Sequence, residues 1–194
     1  MASKQEQLNQ INAKIAVCQK CPLAKTRTNT VPGTGNINTD IVFIGEGPGK
    51  SEDEQGIPFI GAAGRILNEM LHNIELDRDD IFITNIVKCR PPKNRDPKIT
   101  EKNICNTYLQ QQLALINPTL IIPLGRHAME YFLPNAKISE THGKPQVIIT
   151  ATGKSQVIYP LYHPAAALYN PRTKLVIADD FALIPSLIKK YKNV

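Results

Sequence analysis

Four cysteines and one amide carry most of the chemistry to be expected of this chain. Cys18 and Cys21 form a C-x2-C pair followed by Pro22, and after a long interval come Cys89 and Cys105 with fifteen residues between them. Such a set suits a tetrathiolate site. Its spacing leaves zinc and an iron–sulfur cluster equally open, since zinc ribbons more often show two C-x-x-C knuckles and a larger cluster tolerates ligands from a loop and a helix. The amide is Asn85, which interrupts the apolar run Ile81, Phe82, Ile83, Ile86, Val87. Asn offers a donor and an acceptor side by side, the pattern that reads a nucleobase edge bidentately. Directly after it, Lys88, Arg90, Lys93, Arg95 and Lys98 are set among three prolines, a stiff cationic loop suited to a phosphate backbone.

Three further stretches could meet at such a site. Gly45-Glu-Gly-Pro-Gly49 is a tight turn after a short apolar run, with Glu46 as a carboxylate able to orient water or offset positive charge. Its continuation Lys50-Ser51 imitates a phosphate-binding loop, but the glycine spacing is one residue short and Pro48 removes a needed N–H, which argues against a nucleotide triphosphatase. Phe59, between Pro58 and Gly61, offers a stacking surface for a base. His163, in Tyr-His-Pro, could donate to a developing anion. His72, His127 and His142 have no distinctive setting, and Glu52, Asp53 and Glu54 read as a solvated acidic run.

The elements that must position these groups follow from periodicity. Residues 4–17 carry Leu8, Ile11 and Ile15 at helical spacing, 62–74 a stripe of Ile66, Leu67, Met70 and Leu71, and 100–116 a third helix with Thr100 as N-cap and Cys105 in its second turn. Short apolar strands are predicted at 40–45, 81–87 and 119–125, a hairpin at 146–160 through Gly153, and a last helix from about Thr173 broken by Pro185. Residues 30–35 read as a loop. Strands alternating with helices predict an α/β fold, a three-layer αβα sandwich around a mainly parallel sheet. In such a fold ligands gather at the carboxyl ends of the strands, where Gly45, Asn85 and His163 fall.

At 194 residues the chain is expected to form a single domain, with a net charge of +6 that permits a nucleic-acid partner. An N-terminus without an apolar leader and the lack of a membrane-length apolar run predict an intracellular, cytoplasmic protein with no membrane partner. In that reducing setting cysteines serve as metal ligands more readily than as disulfides.

Taken in order, Cys18-x2-Cys21, Gly45-Glu-Gly-Pro-Gly49, Gly56-Ile-Pro-Phe-Ile-Gly61, Thr84-Asn-Ile-Val-Lys-Cys-Arg-Pro-Pro92 and His163-Pro-Ala-Ala resemble the family 4, iron–sulfur uracil-DNA glycosylases. The resemblance runs from Cys18 to about Asn170. It implies release of uracil from single- or double-stranded DNA, and a [4Fe-4S] cluster on Cys18, Cys21, Cys89 and Cys105. It further implies uracil held by Gly45, Glu46, Gly47, Phe59, Asn85 and His163, with Glu46, Asn85 and His163 in the catalytic step. Lys88, Arg90, Lys93 and Arg95 are then candidates for the DNA backbone. A sliding clamp is a candidate protein partner, and a monomer is the default assembly. Two places depart from the family pattern: Leu168-Tyr-Asn-Pro171 lacks the arginine common there, and Ser51 stands where an acidic residue is frequent. The competing reading is a non-catalytic iron–sulfur protein that binds DNA or carries electrons.

Overall fold

The computed structural model describes residues 2–150 and 152–192. In chain order the elements are helix α1 (Lys4–Ala16), strands β1 (Thr34–Gly35) and β2 (Ile41–Gly45), helices α2 (Lys50–Gln55) and α3 (Ala62–His72), and strand β3 (Phe82–Asn85). There follow α4 (Ile99–Ile116), β4 (Leu120–Pro123), α5 (Arg126–Phe132), α6 (Ile138–Thr141), β5 (Gln146–Ile149), β6 (Ser155–Ile158), α7 (Pro171–Ala182) and α8 (Ile184–Tyr191). The six strands form one sheet in the order β1-β3-β2-β4-β6-β5. Its centre is parallel, β2 against both β3 and β4 and β4 against β6, while β1 and β5 are antiparallel edges.

Every residue of β2, β3 and β4 is buried, as expected of strands covered on both faces. Successive side chains alternate between two cores. Ile41, Phe43 and Ile83 pack with Leu67, Met70 and Leu71 of α3, Ile177 and Phe181 of α7, and Leu187 of α8. Val42, Ile44 and Phe82 pack on the other face with Leu8, Ile11 and Ile15 of α1 and Tyr108, Leu109 and Ile116 of α4. This is the expected three-layer sandwich. No helix among the described residues is long and apolar enough to cross a membrane.

Local differences from the sequence reading have simple causes. Helix α4 starts at Ile99, because Lys98 and not Thr100 is its N-cap, and the Glu101 carboxylate turns back to accept the Lys98 N–H at 2.8 Å. Thr34 and Gly35, expected in a loop, pair with Ile83 and Phe82, supplying hydrogen bonds that the edge of β3 would otherwise lack. The hairpin at 146–160 forms as expected. The last helix begins earlier, at Pro171 behind an Asn170 cap, and divides at Leu183, where Pro185 enters the first turn of α8.

Candidate active site and cysteine centre

The parallel register sets Gly45 beside Asn85 at the carboxyl ends of β2 and β3. The bridge between Leu124 and Leu161 carries the rim across to His163, two residues further on. Between them opens a cavity of about 410 Å³ lined by Glu46, Gly47, Glu52, Phe59, Asn85, Asp96 and His163, among others. The structure thus gathers in one place residues that the sequence holds up to 118 positions apart.

Asn85 is 2% exposed, and its Oδ1 is buried without a hydrogen-bond partner. Such an acceptor is costly to leave unmatched, so it points to a ligand that donates there. Its main chain is fixed from behind, where the Lys88 ammonium donates to the Asn85 carbonyl at 2.8 Å. A Cβ on Gly45 would lie 2.4 Å from Asn85 Oδ1 and 2.7 Å from the Phe59 ring, so only glycine lets amide and ring share this wall. On Gly47 it would meet Val87 Cγ2 at 2.7 Å.

Phe59 adopts a left-handed backbone (φ 53°), uncommon for an aromatic residue, and three neighbours hold it there. The Arg78 guanidinium donates to the Phe59 carbonyl at 2.9 Å and the Pro58 carbonyl at 2.6 Å. Glu52 Oε1 accepts the N–H groups of Ile60 (3.0 Å) and Gly61 (2.8 Å). Gly64 of α3 passes so close that a Cβ there would lie 1.8 Å from the Phe59 carbonyl oxygen. The Phe59 and His163 rings stand 5.7 Å apart at 32°.

His163 caps the 3-10 turn Pro164–Leu168, its Nδ1 accepting the Ala165 N–H at 3.2 Å. That bond leaves the proton of the neutral ring on Nε2. Burial lowers the imidazole to about 4, so near neutrality the ring is an uncharged Nε2–H donor. Glu46 lies at the mouth. Burial raises its carboxyl, with Asp96 adding to the effect and His127, Lys102 and Arg126 opposing it.

On the α1–α4 side, Cys18, Cys21, Cys89 and Cys105 line one hollow with Ile15, Ile104 and Tyr108. Cys18 and Cys21 follow α1, Cys89 follows β3, and Cys105 comes from α4. Two donors are aimed at sulfur, Arg27 Nη1 at Cys89 (3.1 Å) and the Lys88 N–H at Cys105 (3.3 Å). Burial pushes Cys105 up to about 11 and raises Cys89, so these thiols ionise readily only beside a cation or metal. An all-sulfur donor set, walled by apolar groups and already met by N–H donors, fits a thiolate-ligated iron–sulfur group.

A sequence profile described as the uracil DNA glycosylase superfamily matches residues 32–182. The type-4 uracil-DNA glycosylase of Archaeoglobus fulgidus is 45% identical over 190 residues, covering 95% of this chain and 95% of that protein. That of Sulfurisphaera tokodaii is 43% identical (94% and 85% covered), and that of Thermotoga maritima 39% identical (98% and 99%). The chain belongs to the type-4 uracil-DNA glycosylases.

Within this type-4 glycosylase the structure corrects three residue readings. Lys88 is buried (1% exposed), so it cannot be a DNA-backbone contact. Its ammonium is satisfied inside by Thr84 Oγ1 (2.5 Å), the Asn85 carbonyl and Gln112 Oε1 (2.8 Å), and burial lowers it to about 7. Glu52 and Asp53 are not a solvated run: Glu52 braces the Phe59 loop, and Asp53, 3% exposed, accepts the Thr28 N–H. His127, read as unremarkable, stands 3.1 Å from Asp96 and 3.9 Å from Glu46. Of the remaining cationic candidates, Lys93 is exposed, Arg90 is held by Asn94 at 2.8 Å, and Arg95 is locked bidentately on Glu101 at 2.9 and 2.7 Å. Arg78 and Gly64 escaped the sequence reading because their role lies in main-chain approach, which residue type alone does not signal.

Proposed function

We propose that this chain hydrolyses the N-glycosidic bond of deoxyuridine in DNA, releasing uracil and leaving an abasic site for base excision repair. The buried, unpartnered Oδ1 of Asn85, facing a pocket walled by Phe59 and His163, carries this reading. Uracil presents N3–H beside the O4 acceptor, and Asn85 accepts from the first and donates to the second. Cytosine inverts both atoms and would set like groups against each other in a buried site. The base leaves the stack at a cost of a few kcal/mol, smaller for a mismatch or a single strand, and lies on the Phe59 ring.

As the bond breaks, its electron pair leaves with the base and positive charge develops on the sugar. The neutral His163 Nε2–H stabilises the charge on uracil O2, aided by main-chain N–H groups of the Gly45–Gly49 turn. Ionised Glu46 offsets the sugar's charge and orients the water whose oxygen bonds to C1′, the proton passing finally to the released base. Arg90 and Lys93 meet phosphates, while Arg95 braces the loop they stand on.

Cys18, Cys21, Cys89 and Cys105 hold a [4Fe-4S] cluster in this reading. One C-x2-C pair joined by a loop cysteine and a helix cysteine is a donor set that a larger cluster tolerates and a two-knuckle zinc ribbon does not show, which supports the larger group. The cluster supplies a structural tie between α1, the loop after β3 and α4.

The test is uracil release from a labelled oligonucleotide with a single deoxyuridine, in EDTA, beside a thymine control. Strand cleavage that needs both uracil and alkali is the expected result. Binding without release, by protein that keeps its brown colour, would instead mark a non-catalytic iron–sulfur protein.

A further inference from the structure

His127 stands where the sequence shows nothing unusual, in the first turn of α5 just beyond β4, yet it joins three segments at the pocket mouth. Its Nε2 is 3.1 Å from Asp96 Oδ2, on the loop after β3, and 3.9 Å from Glu46 Oε2, on the turn after β2. Nδ1 is buried without a hydrogen-bond partner, and the nearest charge to it is Glu130 Oε2 at 3.8 Å. Three carboxylates therefore surround one imidazole that is itself 17% exposed. The guanidinium of Arg126 lies 3.6 Å from Asp96, and its Nε is 3.1 Å from His127 Nε2. One ring nitrogen cannot donate to Asp96 and accept from Arg126 together. The neutral ring takes the Arg126 bond, and the doubly protonated ring takes Asp96 and faces Glu46 as a cation.

We propose that His127 is a positioning residue for the reaction: set between Asp96 and Glu46, its protonated ring is the counter-charge that favours ionised Glu46 at the pocket mouth. This rests on the role given to Glu46 above. The other charges facing Glu46 are Asp96, which opposes its ionisation, and Lys102 and Arg126, which favour it; Glu130 and Arg126 face His127 itself. His163, neutral down to about 4, is not the source of an acid limb at higher pH.

The experiment is single-turnover uracil release from a single-stranded oligonucleotide between about pH 4.5 and 8.5, by the full-length protein with its cluster. Each variant is read against its own plateau. His127→Gln removes a cation, so Glu46 takes up its proton at higher pH. The acid limb is expected to move up by about half a unit to one unit, the mouth being partly solvated. On the acid slope that is about a three- to ten-fold lower relative rate. His127→Arg, with a permanent charge, is expected to bring the limb back to or below the wild-type position. A limb left in place by both His127 variants, or shifted equally by Gln and Arg, would overturn the proposal and leave His127 a packing residue. Glu46→Gln separates the two layers. Wild-type activity in that variant would reject the role of Glu46 itself, whereas a large loss combined with an unmoved limb in His127→Gln would reject only the proposal.

Discussion

The Arg78 guanidinium closes on two successive carbonyl oxygens, those of Pro58 and Phe59, and so holds the Phe59 ring against the pocket from a position nineteen residues away. Its head group is half-buried and also meets Asn68 Oδ1 at 3.2 Å. Replacing it with Met keeps the apolar stem and removes every donor. Charged hydrogen bonds of this kind contribute about 1.5–3 kcal/mol each when buried, so with partial exposure kcat/KM for deoxyuridine is expected to fall about ten-fold. The loss should appear mainly in KM, with Arg78→Lys intermediate. Steady-state kinetics that leave KM unchanged in Arg78→Met would show that the turn holds itself.

Asn85→Asp replaces the donor of the reading pair with an oxygen. Uracil O4 would then meet a carboxylate, and uracil release is expected to drop by at least about a hundred-fold. Melting temperature controls for the fold, since the Asn85 carbonyl and its Lys88 bond are untouched. Equal uracil release by this variant would remove Asn85 as the reader.

His163 also has a consequence for stability. Its folded value, about 4, lies below the 6.5 of the free side chain. Between those values the unfolded chain binds the proton and the folded chain does not, so stability falls as pH falls from 6.5 towards 4. The full loss is on the order of 3 kcal/mol. His163→Asn should melt with a smaller difference between pH 7 and pH 4.5 than the wild type, and an identical difference would contradict the assignment.

Correcting Lys88 yields a test by salt. If Arg90 and Lys93 touch duplex phosphates, Arg90→Gln and Lys93→Gln should each reduce the slope of log K against log salt by about 0.9. Lys88→Met should leave that slope alone. A slope change in Lys88→Met equal to that in Lys93→Gln would mean that the buried ammonium reaches DNA after all.

Much of this site is legible in the sequence because wholly apolar strands in an α/β chain end at a common rim. Gly45, Asn85 and His163 fall there by the sequence pattern alone. The burial of Lys88 is not legible in this way, since in sequence it opens the cationic run that continues through Arg90, Lys93 and Arg95. What buries it is a set of acceptors from Thr84, Asn85 and Gln112, the last brought in by α4 from 24 residues away. Glu52 and Asp53 looked solvated because three consecutive acids usually are. Folded into the short helix α2 they diverge, Asp53 turning to the Thr28 main chain and Glu52 to the Phe59 loop. His127 was invisible for a different reason: only the pairing of β4 beside β2 carries it to Glu46.

That pairing also bears on how the protein comes into being. The hairpin of β5 and β6 is local, but β2 must find β3 some forty residues away and β4 nearly eighty away before the rim exists. Contacts of long sequence separation are the slow ones to form. A nascent chain with its helices and hairpin in place therefore has no pocket at all, and competence to inspect DNA arrives together with the last cooperative closure of the sheet.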